Sequence, residues 1–152
     1  MGYCRRHLLG LTVCKSGSEK ELARVKDVVL DLKTSRAIGV ALESDHLWQN
    51  MKYLPWENIV KITKRELEFY TDKPLKKLGK RREQQLAALW IGQRLFSPSG
   101  ADWGTVADLV LNEEDWQIAG VYVSQGLWQD MSGGWQFLHW SDIQPVLPVN
   151  KR

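Results

Sequence analysis

The side chains of this 152-residue chain that could act as nucleophiles, bases or metal ligands are few: Cys4, Cys14, His7, His46, His139 and a set of carboxylates. No two histidines stand at the i, i+4 spacing that turns a pair of imidazoles toward one metal, and the cysteines have no ligand-like spacing with them, so no metal site is expected. Two cysteines cannot build a disulfide framework; they read as reduced thiols packed as small apolar groups. A serine nucleophile needs an elbow such as Gly-x-Ser-x-Gly, and phosphate binding needs a glycine-rich loop; the chain has neither. The tightest acidic cluster, Glu113-Glu114-Asp115, falls in a predicted hairpin turn and reads as a solvated charge run. Asp27 and Asp108 are different, because they occupy matched places in the chain. They could form a symmetric small-ligand site, or each could hydrogen-bond loop backbone, as short carboxylates do at strand kinks. No catalytic residue and no cofactor is expected.

The matched aspartates belong to an internal duplication. Val25-Lys26-Asp27-Val28-Val29-Leu30-Asp31 aligns with Val106-Ala107-Asp108-Leu109-Val110-Leu111-Asn112 at an offset of 81, and Ala37-Ile38-Gly39-Val40 aligns with Ile118-Ala119-Gly120-Val121 at the same offset. Leu54-Pro55-Trp56-Glu57-Asn58-Ile59 falls on Leu138-His139-Trp140-Ser141-Asp142-Ile143 at 84, and Leu9-Gly10 on Ile91-Gly92 at 82. The offset changes between segments, as loop insertions would make it do.

Each copy reads as short strands. The runs 23–32 and 104–112 are rich in branched apolar residues, and each leads through a polar turn into a second strand. Gly39 and Gly120 sit inside those second strands, where glycine permits the bulge or bend a small barrel needs. The fold class expected is all-β: two tandem small barrels, residues 1–72 and 90–152, with a linker at 73–89. Leu75, Leu78, Leu86 and Leu89 and the helix-forming run 82–90 predict a short helix there. A barrel of this size is marginal alone, so the copies are expected to pack together.

The copies differ at their ends. Residues 65–72 alternate Leu67 and Phe69 with polar neighbours and predict a closing strand, whose counterpart would fall at about residue 151. Copy two therefore reads as lacking that strand. The expectation is that the start of the chain (1–6), the linker, or the same region of a second molecule in a homodimer covers the gap.

The strand, the turn, Ile38-Gly39-Val40 and Leu54-Pro55-Trp56-Glu57-Asn58-Ile59 resemble the PRC-barrel, the β-barrel module of the photosynthetic reaction centre H subunit and of the ribosome maturation factor RimM. Gly104-Thr105-Val106-Ala107-Asp108, Ala119-Gly120-Val121 and Leu138-His139-Trp140-Ser141-Asp142-Ile143 resemble a second. Together they cover most of the chain, which is similar to bacterial tandem PRC-barrel proteins. The resemblance implies a non-enzymatic protein-docking module with no shared catalytic residues. The H subunit's membrane helix and RimM's distinct N-terminal barrel are missing, and His139 stands where copy one has Pro55.

Charge and aromatic residues suggest partners. Residues 1–82 hold 18 Lys+Arg against 10 Asp+Glu and residues 83–152 hold 3 against 8, a basic half followed by an acidic one. Such asymmetry predicts an oriented partner or head-to-tail attraction. Lys76, Lys77, Lys80, Arg81 and Arg82 in the linker give an alternative function, an RNA- or ribosome-associated factor. A phrase recurs as Leu47-Trp48-Gln49 and Leu127-Trp128-Gln129. These residues are candidate partner-binding anchors, since tryptophan is enriched where interface energy concentrates; the other reading is a lid over each barrel end. Trp56 and Trp140 read as core or barrel-mouth packing. The apolar run 8–14 is too short to cross a bilayer, and Val13 sits where a lipoprotein cleavage box needs a small residue, so no membrane insertion and a cytoplasmic location are expected.

Overall fold

The computed structural model describes residues 2–44 and 50–143, with the side chains of 127–129 outside that description. The chain is mostly β. In order it forms β1 (Gly2–Cys4), α1 (Arg5–Leu8), β2 (Thr12–Lys15), β3 (Ala23–Asp31), β4 (Arg36–Glu43), β5 (Lys52–Pro55), β6 (Ile59–Ile62), β7 (Glu66–Phe69), β8 (Lys76–Lys77) and α2 (Gly79–Glu83). Then come β9 (Arg94–Phe96), β10 (Asp102–Asn112), β11 (Ile118–Ser124), α3 (Leu127–Gly133), β12 (Gln136–His139) and α4 (Trp140–Ile143). Short 3-10 turns cover Trp56–Asn58 and Ala87–Leu89. No helix among the described residues is long and apolar enough to cross a membrane.

Two sheets result. The first runs β6-β7-β2-β3-β4-β5-β8; the second runs β1-β10-β11-β12, with β9 also on β10. Both expected hairpins form, and each has the same two irregularities. In β3–β4 the register shifts between Val25 and Asp27 and between Val29 and Leu30; in β10–β11 it shifts between Val106 and Asp108 and between Val110 and Leu111. The bulges bend the strands and swing Val25, Val28 and Leu30, like Val106, Leu109 and Leu111, onto one buried face. Gly39 and Gly120 follow from close approach. A Cβ at Gly39 would collide with the Leu54 carbonyl and come within 2.8 Å of the Tyr53 ring; one at Gly120 would meet the Leu138 carbonyl and come within 2.6 Å of Phe137.

The hairpin tips meet across an approximate two-fold axis. Ala37 N–H donates to Trp116 C=O (2.8 Å) and Ile118 N–H donates to Ser35 C=O (2.9 Å). Ser35 and Trp116, equivalent at the offset of 81, share a left-handed backbone with φ of 56° and 62°. Behind the tips, buried residues of both sheets merge into one core that includes Leu8, Val28, Leu54, Leu95, Leu109 and Trp116. The copies are therefore packed on each other, as their size requires.

The expected boundaries at 72 and 89 do not divide the sheets. β1 belongs to the second sheet, paired Gly2↔Asn112, Tyr3↔Leu111 and Cys4↔Val110, while β8 extends the first by pairing with β5. Leu86 bridges Val29, and Leu30 N–H donates to Gln85 C=O at 2.8 Å. The run 82–90 is thus not one helix: the backbone at 85–86 is drawn straight by its bonds to β3, so α2 ends at Glu83 and a 3-10 turn starts at Ala87. The segments 2–4 and 84–86, equivalent at an offset of 82, are crossed: the one preceding copy one pairs with copy two, and the one preceding copy two pairs with copy one.

β7 is the expected closing strand. Leu67 and Phe69 are buried, and β7 pairs antiparallel with β6 and parallel with β2. The N-terminal segment does join copy two, but not in the place a counterpart of β7 would take. It lies along β10 beyond β9, on the same edge, which is where Leu86 meets β3 in copy one.

Candidate functional site

The crossed segments are pinned by the matched aspartates. Asp27, 3 % exposed, accepts from Arg5 Nε (2.8 Å), from its neighbour Val28 N–H (2.8 Å) and from Ala88 N–H (2.9 Å). Asp108, 1 % exposed, accepts from Leu109 N–H (2.8 Å) and Arg6 N–H (3.2 Å). The amide bonds of Ala88 and Arg6 are equivalents across the two-fold. Arg6 Nε lies 3.3 Å from Asp108 Oδ2 without donating to it, so this carboxylate has weaker cationic support than Asp27. Both carboxylates bond backbone at a bulge, the simpler of the two sequence expectations. Both oxygens of Asp27 are engaged in holding chain segments together, whereas at Asp108 only Oδ1 accepts hydrogen bonds and the buried Oδ2 accepts none.

A cluster of aromatic side chains lies on the outer face of the second sheet. Gly120, Tyr122, Phe137 and His139 project there, because Tyr122 stands opposite Phe137 and Gly120 opposite His139. The Phe137 ring packs edge-on against Tyr122 (5.4 Å between centroids) and His139 (5.0 Å), and Trp135 leans on Tyr122 at 6.4 Å. The Arg6 guanidinium sits 5.0 Å over the Trp135 ring. Trp135 is 37 % exposed, and Met131 nearby in sequence is 71 % exposed. Asp130, which accepts from Ser124 Oγ, and Gly134 complete a shallow cavity of about 370 Å³ with Arg6, Tyr122 and Trp135.

The equivalent face of the first sheet is covered. Val29, Ala41 and Tyr53 are buried there beneath Leu78, with Ile38, Met51 and Leu86 around them. Leu78 is 2 % exposed, held where β8 has paired Lys76 and Lys77 with Tyr53 and Lys52. The Arg82 guanidinium lies 3.9 Å over the Tyr53 ring. Tyr53 donates its hydroxyl to Ile38 C=O at 2.9 Å, and burial pushes its phenol above the usual value against the opposing pull of Arg82.

The sequence-predicted residues are distributed unevenly. Leu47 and Trp48 lie outside the described residues; Leu127 and Trp128 open α3, and their side chains lie outside the description. Lys76, Lys77, Lys80 and Arg81 are exposed, whereas Arg82 is half-buried in its stack on Tyr53. Trp56 packs at the core's margin, stacked on Trp116 (6.3 Å) under the Arg36 guanidinium, and Trp140 is buried against Trp90. Cys14 is buried and Cys4 half-buried, both unpaired. Burial pushes both thiols up, aided at Cys4 by Asp108 and at Cys14 by Glu66 and Glu68. The Tyr122–Trp135–Phe137 face is the site residue set that the sequence reading missed. Its signal was the inequality between matched positions, Tyr122 where copy one has Ala41 and Trp135 where it has Met51.

Among the described residues no group of three or more His, Cys, Asp or Glu side chains is placed to hold a metal ion. Comparison with protein-family models and with curated proteins finds no match to this chain.

Proposed function

We propose that the chain is a tandem PRC-barrel protein whose role is non-enzymatic: it docks a protein partner on the second sheet. The observation that carries this is the half-exposed cluster of Tyr122, Trp135 and Phe137 beside Arg6. Aromatic rings and arginine concentrate binding energy at interfaces, and a rigid sheet presents them with little entropy left to lose. The recurrence of bulges, glycines, left-handed tip residues and carboxylate bonds at offsets of 81–82 supports the tandem reading. Affinity capture from the native host by the full chain, beside a Tyr122→Asp/Trp135→Asp variant, tests the function. A specific protein retained by the natural chain and lost by the folded variant is the expected result; retention by both overturns the reading.

A second reading has one observation in its favour. Lys76 and Lys77 on β8 and Lys80 and Arg81 on α2 are exposed close together in the chain, as an RNA-backbone contact would require. Binding to single-stranded or ribosomal RNA that weakens steeply with salt, and disappears when these four are neutralised, would establish it. No binding at low salt removes it.

A further inference from the structure

Copy one shows what the outer face of copy two is shaped to receive. Val29, Ala41, Tyr53, Met51 and Leu86 correspond to Val110, Tyr122, Phe137, Trp135 and Cys4 at offsets of 81, 81, 84, 84 and 82. In copy one a segment of the linker seals this surface. β8 adds to the outer edge of β5, Leu78 drops over Val29, Ala41 and Tyr53, and Arg82 stacks on the Tyr53 ring. In copy two Val110, Tyr122, Phe137 and Cys4 are only half-buried, and β12 is the last strand of its sheet among the described residues.

We propose that this face of copy two binds a basic, leucine-bearing segment of a partner protein, which adds as a strand to β12 at Gln136 and Phe137 and lays a leucine and an arginine over Phe137, Tyr122 and Val110. The proposal rests on the docking reading above and gives it an address and a partner chemistry. Strand addition uses the edge hydrogen bonds for affinity and side-chain pockets for selection. The basic character follows from two things. The segment that seals copy one carries six Lys+Arg and one Glu between residues 73 and 86, and residues 90–152 of the receiving copy hold seven acidic residues against three basic, with Arg6 added beside the face from α1. A second copy of this chain is a poor donor, because its own Leu78 is already buried in its own first sheet.

The probe is a synthetic peptide with the sequence of residues 73–86, titrated into the full isotopically labelled chain at physiological salt. Expected are saturable shifts at residues 120–123 and 135–139, half-complete below about 1 mM peptide, together with a change in Trp135 fluorescence. A peptide with serine at the positions of Leu78 and Leu86, its charge intact, should produce none of these. Phe137→Ser in the chain, with its spectrum otherwise native, should abolish them. Absence of shifts, or equal shifts from the serine peptide, overturns the proposal. So does binding that emerges only after the apolar residues of 144–152 are replaced by serine, which would assign the face to that segment of the same chain. Host capture that succeeds through other residues while the peptide fails sinks this address alone; peptide binding without host capture sinks the docking role alone.

Discussion

Ala37 N–H donates to Trp116 C=O at 2.8 Å, and Ile118 N–H returns the bond to Ser35 C=O at 2.9 Å. This reciprocal pair is the geometry of an isologous interface, the kind found between identical subunits, here made within one chain. Trp116 is its central side chain, 4 % exposed, stacked on Trp56 and edge-on to Tyr3 at 6.2 Å. Trp116→Ala should therefore cost about 3–5 kcal/mol, the range for deleting a buried aromatic. Urea unfolding measures it, and a cost below about 1 kcal/mol would mean the two tips are not a stabilising contact.

Asp27 and Asp108 should respond unequally to substitution. Asp27→Ala strands three donors, including the Arg5 guanidinium, whose side chain is 14 % exposed, and should cost about 3–5 kcal/mol. Asp108→Ala strands two backbone amides, and Arg6 is 55 % exposed and can return to water, so about 1–3 kcal/mol is expected. Chemical denaturation of both variants checks the order; a larger loss at Asp108 would contradict the bond assignment.

Stability should decline in alkali partly through Tyr53. Its phenol is raised in the folded chain, so the neutral form is favoured by folding. That contribution is fully present below the ordinary tyrosine value of about 10 and is lost as pH rises through the folded value above it. Tyr53→Phe should lose about 1 kcal/mol at neutral pH, from the hydrogen bond to Ile38, and show a shallower decline above pH 10. Equal slopes for the two proteins would remove Tyr53 from the account.

Alkylation should separate the cysteines. Cys14 is 5 % exposed and its thiol is held above the usual range, so iodoacetamide at pH 8 should leave it untouched until the chain unfolds. Cys4, half-buried on β1, should react slowly in the native state. Mass spectrometry of the native protein over time distinguishes them, and early labelling of Cys14 would show that the first sheet opens locally.

Much of the β architecture was legible in the sequence. Branched runs around Val25–Leu30 and Val106–Leu111, the polar turns after them and the alternation at Leu67 and Phe69 carry their periodicity locally. The crossed segments were not legible. Gly2–Cys4 is too short for a periodic signal, and its partner Asn112 lies across the whole of copy one. The linker misled because its leucines do not share one face: Leu78 and Leu86 pack on the outer face of the first sheet, Leu75 packs against the main core, and Leu89 is 44 % exposed. Helical spacing cannot distinguish these from one amphipathic face. At the candidate site, the repeated Leu-Trp-Gln phrase drew attention by similarity, whereas the exposed aromatic face arises where the copies diverge.

The pairing of Gly2 with Asn112 sets an order on synthesis. A ribosome delivers the first residues long before the strand that must receive them, so Arg5 and Leu8 can settle provisionally against copy one while β1 has no neighbour. Pairing of β1 waits on translation of β10, and a nascent chain stalled near residue 100 leaves Gly2–Cys4 without its partner strand.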